Sequence, residues 1–314
     1  QGLLPDVYET SLNGTSVSAE IPGFPYWAIT RPRLHALLAA AAKDAGVDIV
    51  THSRAVGADP AGALLLADGT RLAADLVVAA DGVGSAVRNS LPSLAQERKR
   101  YQDAICRLLI SRPPEFQGPQ WNRVIDFWTL EPDAMRILFI TTGLDSIYVA
   151  FMASADNELA SRIPIDVDVW SDRFPRLATA VALAAKAVGG RRDPYQTNRV
   201  APWSDGRAVL VGDSAHAMCP ALGQGASVGI VNAVELAHTL EQYGEISTAL
   251  TAWEERHRAM TDAAQARSAF MAETRTMAKG NGFTREVMET ANFELSAAGP
   301  GTLARFPIPP GSQP

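Results

Sequence analysis

Residues Gly206–Leu240 read GRAVLVGDSAHAMCPALGQGASVGIVNAVELAHTL, and this stretch decides the fold. Residues Ala208–Val211 form a short apolar run that is typical of a buried parallel strand. An acidic turn, Gly212-Asp213, follows the run, and a glycine-rich loop then ends at Gly225. The apolar residues after Gly225 predict a long helix. A strand that leads through such a loop into a helix indicates an α/β domain.

The start of this helix is a potential binding site. A helix that begins at glycines presents backbone N–H groups without helical partners, together with the positive end of the helix dipole. Such an end binds an anion or an electron-rich heteroatom without a charged side chain. The carboxylate of Asp213, just before it, is placed to accept hydrogen bonds from hydroxyls. Together these groups suit a polyol joined to a polarisable ring, as in the ribityl-isoalloxazine half of a flavin.

The composition excludes several classes of function. The chain has 314 residues, of which 47% are hydrophobic and 20% charged, and its formal net charge is −6. It is long enough for two packed cores, and it lacks the basic face that nucleic-acid binding requires. No apolar stretch is long enough to span a membrane, and no signal peptide is seen. The two cysteines favour a reducing, cytoplasmic location, and the five histidines lack metal-ligand spacing, so we predict no metal site.

The rest of the chain predicts two kinds of structure. Between about residues 103 and 155 apolar and polar residues alternate, which predicts an antiparallel sheet with one solvent or ligand face. The segments before and after it predict α/β elements. We expect a helix that Thr30 caps and Gly46 ends, a strand at residues 47–50, a hairpin turning at Asp68-Gly69, a strand at residues 76–80, helices within residues 166–189, a helix at residues 246–278 and an irregular tail from residue 299.

Three motifs resemble one known family. GDSAHAMCPALGQG, residues 212–225, resembles the GD motif of the FAD-dependent aromatic hydroxylases, which are p-hydroxybenzoate hydroxylase-like, single-component flavoprotein monooxygenases. DLVVAADGVGSAVR, residues 75–88, resembles that family's DG motif. ITRPRLHALL, residues 29–38, is similar to its R-x-x-L helix start. The three occur in the family's order, and the resemblance covers most of the chain.

The resemblance implies a Rossmann-like FAD-binding domain with an inserted antiparallel β-sheet substrate domain. The FAD-binding domain would comprise residues 26–100 and residues 200–314, the second part including the C-terminal helices. The substrate domain would comprise residues 101–199, with residues 1–25 joining it. The family binds the FAD pyrophosphate through a first βαβ unit containing G-x-G-x-x-G, and no such motif occurs in this sequence. We therefore expect an N-terminally truncated chain in which this unit is missing.

The resemblance also assigns roles in the GD motif. Asp213 would bind the ribityl hydroxyls; alternatively, it is a turn or helix-cap aspartate. The backbone N–H groups of residues 223–226 would lie near the flavin N1–C2=O2 region, where they stabilise negative charge on reduction, or they form a plain turn. Pro220 would pack near the reactive face of the ring, or it ends the strand. The full set of expected FAD-binding residues is Arg31, Asp81, Gly82, Arg88, Gly212, Asp213, Pro220, Gly223, Gln224, Gly225 and Ala226.

The remaining members of this set also have two interpretations each. Asp81, at the end of a parallel strand, would lie near the pyrophosphate, or it caps the next helical turn. Arg88 would anchor the DG motif or face a phosphate, or it forms a surface salt bridge. Arg31 would lie close to the cofactor, although Arg33 competes for this role, and both suit the surface. His216 has the pKa range of a general base, but we favour a packed histidine.

Substrate contacts are expected from the inserted sheet, although alternation alone does not say which face is which. We assign no catalytic residue. The candidate substrate contacts are Arg107, Asp126, Trp128, Arg136, Tyr148 and Met152.

The function that the resemblance implies is a monooxygenase reaction. NAD(P)H would reduce FAD, O2 would form a flavin C4a-hydroperoxide, and its distal oxygen would hydroxylate a small aromatic or N-heteroaromatic molecule. Another flavin chemistry, such as an epoxidase or a drug-inactivating hydroxylase, remains open, whereas the W-x-W-x-I-P signature of flavin halogenases is absent. Two further alternatives are a non-catalytic fragment that needs its missing N-terminal unit and a binding protein without redox activity.

Overall fold

A computed structural model of the chain describes residues 7–12, 14–20 and 28–278. The chain divides into two compact units. Unit 1 comprises Gln1–Val47, Gln102–Pro194 and Thr274–Pro314, and unit 2 comprises Asp48–Tyr101 and Tyr195–Glu273. Each unit is thus built from separate pieces of the sequence.

The secondary structure mixes strands and helices along the whole described chain. The strands are β1 (Val7–Leu12), β2 (Thr15–Glu20), β3 (Ala55–Asp59), β4 (Ala63–Leu66), β5 (Arg71–Ala73), β6 (Val77–Ala79), β7 (Ala95–Ser111), β8 (Val124–Thr129), β9 (Met135–Thr141), β10 (Ser146–Ser154), β11 (Arg191–Ala201), β12 (Ser204–Asp205) and β13 (Ala208–Leu210). The helices are α1 (Arg31–Asp44), α2 (Ala86–Ser90), α3 (Val167–Arg173), α4 (Ala178–Lys186), α5 (Asp213–His216), α6 (Gly225–Gln242) and α7 (Ile246–Thr274).

A seven-stranded sheet with the order β11-β7-β10-β9-β8-β1-β2 dominates unit 1. Strands β7 to β10 pair antiparallel, as their alternation predicts. One face of this sheet forms a hydrophobic core with α3 and α4, in which Phe151 and Trp170 meet edge to face at 4.9 Å. This face carries every second residue, including Ile137, Phe139 and Val149, all essentially inaccessible to solvent.

The opposite face of the same sheet, here called the polar face, carries the other residues of each strand. The register places Arg136 of β9 opposite both Trp128 of β8 and Met152 of β10. Arg107 of β7 stands opposite Ala150. Because side chains alternate between faces along a strand, the pairing fixes the membership of this face. The polar face comprises Asp103, Ile105, Arg107, Leu109, Val124, Asp126, Trp128, Arg136, Leu138, Ile140, Tyr148, Ala150, Met152 and Ser154.

Unit 2 contains two small sheets and the two long helices. Strands β12, β13 and β6 form one sheet, in which β13 and β6 are parallel, and β3, β4 and β5 form an antiparallel sheet. The turn at Asp68-Gly69 joins β4 to β5, and Asp68 Oδ1 accepts a hydrogen bond from the Thr70 amide at 2.9 Å. Trp203 and Trp253 pack against each other at 5.1 Å in the core of this unit, which Leu210 and Leu236 share.

Two expectations from the sequence are corrected by the structure. Residues 47–50 form no strand, and the side chains of Val47, Ile49 and Val50 are exposed. An apolar run becomes a strand when a neighbouring strand pairs with it, and no pairing of this run occurs among the described residues. The long C-terminal helix ends at Thr274, four residues before the expected end. The expected tail from residue 299 lies outside the described residues.

Helix α1 begins as the sequence predicts but does not bury its apolar stripe. Thr30 is the N-cap, its Oγ1 accepting a hydrogen bond from the Arg33 amide at 3.4 Å, and Gly46 follows the helix with a positive φ of 80°. No residue of α1 is buried, and Leu37 and Leu38 are exposed. Across the described part of the chain, none of the helices is both long and apolar enough to cross a lipid bilayer.

Candidate functional site

Two loops of unit 2 leave the same edge of a parallel sheet. β6 and β13 lie side by side with Ala79 opposite Leu210, and the Val211 amide donates to Ala79 O at 3.0 Å. Asp81-Gly82 therefore follows one strand at the edge where Gly212-Asp213 follows its neighbour. The carboxyl ends of parallel strands form the crevice in which open α/β sheets bind ligands. The structure thus brings the DG and GD motifs together.

A buried arginine and a buried serine tie these loops to each other. Arg88 is 2% exposed; its Nη1 donates to Ser214 O at 2.9 Å and its Nη2 donates to Val83 O at 2.8 Å. Burial lowers the pKa of this guanidinium from its ordinary value. Ser214 Oγ in turn donates to Ala79 O at 2.7 Å. Arg88 is therefore an internal brace of the two motifs, not the surface salt bridge that was the alternative.

Two of the predicted cofactor-binding residues lie at the N-terminal ends of helices. Asp81 is exposed, and its Oδ2 accepts hydrogen bonds from the amides of Ala86 and Val87 at 2.8 and 3.2 Å, so it caps α2. Capping was the alternative interpretation of Asp81, and it does not exclude a ligand beside the carboxylate. Arg31 is the first residue of α1 in unit 1 and is exposed. Its role toward a cofactor stays a prediction.

The main chain of the GD motif requires glycine at two positions. Gly212 has φ 61° and ψ −140°, and Gly223 has φ 69°, values that L-residues rarely adopt. A Cβ at either glycine would meet no atom within 4 Å, so both border open space. Between them, Pro220–Leu222 form a single 3-10 turn. Exposed Asp213 starts the short helix α5 just after Gly212.

The N-terminus of α6 offers backbone donors. Its N-cap residue, Gln224, makes no side-chain capping hydrogen bond, so that side chain does not take up the amides of the first turn. Gly225 is close to Asp213, because a Cβ on this glycine would lie 4.0 Å from Asp213 Oδ1. Gly229, one turn later, packs so tightly that its Cβ would lie 3.3 Å from Gly212 Cα. Acid and amides are thus held side by side.

His216 is packed inside unit 2, as the sequence favoured. It is 1% exposed, and its ring lies 5.5 Å from that of Trp203. Burial lowers its pKa to about 4, so the ring is neutral at physiological pH. The Asn232 side-chain amide lies 3.1 Å from His216 Nε2. Asn232 was not singled out from the sequence, because a polar residue inside an apolar helix run carries no motif.

The polar face of unit 1 holds all the candidate substrate contacts of the inserted sheet. Arg136 makes a bidentate ion pair with Asp126, with N···O distances of 2.6 and 3.0 Å. The guanidinium also lies 4.9 Å from the ring centre of Trp128. Arg107 pairs with Asp193, and Tyr148 is half-buried. These side chains share one face with Met152 because of the register of the strands, which the sequence does not reveal.

Asp103 is a further residue of the polar face that the sequence did not indicate. It is fully buried, and its Oδ1 accepts hydrogen bonds from the Met277 amide at 2.9 Å and from Thr276 Oγ1 at 3.2 Å. Burial raises its pKa to about 7, which the two hydrogen bonds and the charge of Arg136 oppose. A cavity of about 690 Å³ is lined by its neighbours Gln102, Ser154 and Met277.

Comparisons with known proteins agree with this geometry. The family model of the FAD binding domain matches residues 11–267 of the chain. A protein of Rhodococcus erythropolis, named a probable 2-heptyl-3-hydroxy-4(1H)-quinolone synthase, is 34% identical over 227 residues, which cover 72% of this chain and 58% of that protein. A 6-hydroxynicotinate 3-monooxygenase of Pseudomonas fluorescens is 27% identical over 271 residues, which cover 78% of this chain and 67% of that protein.

A solved structure is similar over more of the chain. The tetrameric form of 2-methyl-3-hydroxypyridine-5-carboxylic acid oxygenase is 41% identical with a TM-score of 0.83, covering 92% of this chain and 78% of that one. The chain therefore spans between 58% and 78% of the length of these three proteins. Since the family model matches well over half of the sequence, including the DG and GD motifs, this chain belongs to the FAD binding domain family.

Proposed function

We propose that the chain is an FAD-dependent monooxygenase that hydroxylates a small aromatic substrate, most specifically an N-heteroaromatic one, with NAD(P)H and O2. The names of the similar proteins support the substrate class, because a quinolone, a hydroxynicotinate and a hydroxypyridine carboxylic acid are all N-heteroaromatic. The observation that carries the proposal is the glycine-lined start of α6 beside Asp213 in unit 2. The domain roles expected from the sequence are part of the same proposal.

The residues at this site fit a flavin. Gly212 and Gly223 border open space, and a side chain at either position would fill it. The amides at the start of α6 suit the electron-rich pyrimidine edge of the ring, and Asp213 suits the hydroxyls of the ribityl chain. Pro220, Gln224 and Ala226 complete the loop around these amides. These residues would hold the cofactor in unit 2.

The bound flavin would supply the redox chemistry, passing electrons from NAD(P)H to O2 so that one oxygen atom enters the substrate. The protein's own role would be to orient the flavin and the substrate and to stabilise negative charge on the ring. The backbone amides at residues 225–226 are fixed before any charge develops, so they stabilise an anionic ring without reorganising. Arg88 braces the loops that carry these groups.

The polar face of unit 1 is the proposed substrate surface. It combines the partly exposed side chains of Leu138 and Tyr148 with the buried Arg136–Asp126 ion pair and the buried Met152. A flat ring with polar substituents needs both kinds of group, apolar surface for the ring and a few fixed polar atoms for orientation. The opposite face is filled by the aromatic core and is closed to a ligand.

The test is FAD uptake followed by product analysis. The 314-residue protein is incubated with FAD and desalted, and its visible spectrum is recorded. We expect retained flavin bands, NAD(P)H oxidation stimulated by hydroxypyridines or quinolones, and a product heavier by one oxygen atom. The Asp213→Ala variant should lose the flavin bands, whereas exposed Glu255→Ala should keep them. NAD(P)H oxidation that proceeds without any oxygenated product would contradict the proposal.

Two structural observations favour a second candidate, a fragment that does not hold FAD by itself. Strand β6 lies at the edge of its sheet with Val78 exposed. Helix α6 exposes an apolar stripe at the helical spacing of residues 226, 230, 233, 234 and 237, in which Ile230 and Val234 are each 49% exposed. A further parallel strand and helix would cover both surfaces. In this case the protein stays colourless with FAD until a strand-helix unit with a G-x-G-x-x-G loop is supplied.

A further inference from the structure

Helix α7 carries a stripe of buried polar side chains that the proposed reaction does not use. Thr261, Gln265 and Ser268 follow one another at spacings of four and three residues, so they lie on one face of the helix. Their exposures are 0%, 2% and 0%. Polar groups are costly to bury unless they find hydrogen-bond partners, so their partners reveal what the stripe does.

Two members of the stripe bind the main chain between the Gly212-Asp213 turn and the glycine loop. Gln265 Nε2 donates to Ala217 O at 2.8 Å and to Asn198 O at 3.1 Å. Ser268 Oγ donates to Cys219 O at 2.6 Å. Two carbonyl groups of one short segment are thus held from a single helix face.

The third member reaches the same segment through α6. The side-chain amide of Asn232 donates to Thr261 Oγ1 at 3.0 Å and lies 3.1 Å from His216 Nε2. Because His216 is neutral, this nitrogen is able to accept the amide hydrogen. Thr261 Oγ1 donates in turn to His257 O at 2.9 Å. Asn232 is completely buried, so water does not compete for these bonds.

We propose that Asn232, Thr261, Gln265 and Ser268 form a polar clamp that fixes residues 216–219 through the ring of His216 and the carbonyl groups of Ala217 and Cys219. The clamped segment leads directly into the Pro220–Leu222 turn and Gly223, and so into the first amides of α6. A loop rich in glycine has little rigidity of its own, so its neighbours must position it. The clamp residues are positioning residues for the flavin, and in this respect the inference rests on the proposed function.

The test uses variants of the full chain that remove the donors and nearly preserve volume. Gln265→Met and Ser268→Ala are the clamp variants, the second being the milder. Thr239→Val is the matched control, because Thr239 is 2% exposed and its hydroxyl donates at 2.7 Å to Glu235 O within α6, away from the loop. Three properties are measured: amide hydrogen exchange of residues 216–225 without FAD, thermal unfolding, and FAD affinity with the spectrum of the bound flavin.

We expect the clamp variants to exchange amides of residues 216–225 about tenfold faster and to bind FAD about tenfold more weakly than the control. Loss of the donors also lowers the melting temperature, so exchange and affinity are compared at a temperature where every variant is fully folded. Their flavin absorption bands should shift, since the amides near the ring have moved. Equal exchange in Gln265→Met and Thr239→Val would overturn the clamp, and so would faster exchange with unchanged FAD affinity and spectrum. If the unsubstituted chain takes up no FAD, the proposed function fails separately, and the exchange measurement still decides the clamp.

Discussion

At the scale of single residues, Arg88 holds two loops of unit 2 through the carbonyl groups of Val83 and Ser214. Replacing it with methionine removes the donor to the buried Ser214 carbonyl, whereas Val83 O keeps a hydrogen bond from Arg98 Nη2 at 3.3 Å. We expect Arg88→Met to lower the free energy of unfolding by about 2–4 kcal/mol. Denaturant unfolding measures this loss. In the control Arg71→Met, which removes the exposed pair with Asp59, the loss should stay below about 1 kcal/mol; similar losses in the two variants would refute the bracing role.

Asp103 makes the stability of unit 1 depend on pH. Burial raises its pKa to about 7 from the ordinary 3.8, so the folded state prefers the protonated acid. Between about pH 4 and pH 7 the unfolded chain has released this proton while the folded chain still holds it. The free energy of unfolding therefore falls as the pH rises through this range. Asp103→Asn keeps the Oδ1 acceptor and cannot ionise. The difference in free energy of unfolding between this variant and the unsubstituted chain should shift by about 2–4 kcal/mol in favour of the variant between pH 4 and pH 8.

The control for this prediction is Asp156→Asn, an exposed aspartate in the same unit. Its stability relative to the unsubstituted chain should change little over the same pH range. Chemical unfolding at pH 4, 6 and 8 gives both curves. A pH-independent effect of Asp103→Asn would show that folding does not raise the pKa of Asp103.

The sequence marks the turns of the GD motif better than it predicts what the side chains around them touch. Gly212 and Gly223 are recognisable because glycine is the residue that tolerates their positive φ. Arg88 was left between three roles, since its partners lie up to 126 residues away along the chain. Asp103 has no local pattern at all, because its burial depends on Met277, far along the sequence.

At the scale of elements, Gly225 is the first residue of α6. A substitution there should weaken cofactor binding without destabilising the helix. A Cβ at Gly225 would make ordinary contacts of 3.6 Å with Met218 Cγ and 4.0 Å with Asp213 Oδ1, so the helix accepts alanine. Alanine also favours helix by up to about 1 kcal/mol. We expect Gly225→Ala to keep or raise the melting temperature of the protein without FAD and to weaken FAD binding about tenfold, by occupying the site.

The control for Gly225→Ala is Gly244→Ala near the other end of α6, where a Cβ would meet nothing within 4 Å. Flavin fluorescence quenching measures the affinity of each variant. If both variants bind FAD as tightly as the unsubstituted chain, the start of α6 is not the flavin site.

Element prediction succeeded where the pattern itself decides the structure. Alternating residues in β8, β9 and β10 predicted antiparallel strands, and Thr30 and Gly46 marked the ends of α1. It failed at residues 47–50, where an apolar run has no pairing strand among the described residues. The sequence also does not show which side chains belong to the core and which to the polar face. Strand order and register decide this, and both depend on residues far apart in the sequence.

At the scale of the whole molecule, the apolar stripe on α6 predicts self-association. Ile230 and Val234 are half-exposed on adjacent turns, and exposed patches of this kind bind other apolar surfaces. The double variant Ile230→Lys/Val234→Lys should reduce dye binding by 8-anilinonaphthalene-1-sulfonate and shift the chain toward monomer in sedimentation. Val188→Lys, at a fully exposed single residue, should change neither measurement. Equal behaviour of the two variants would refute a role for the stripe.

The separation of the two faces of the large sheet has a consequence for changing specificity. Leu138, Ile140 and Tyr148 belong to the polar face and are partly exposed, while Ile137, Phe139 and Val149 beside them fill the aromatic core. A combinatorial library confined to Leu138, Ile140 and Tyr148 therefore varies side chains that a ligand can reach and leaves the aromatic core behind them intact. Variants of this kind should be able to change substrate with little loss of folding stability.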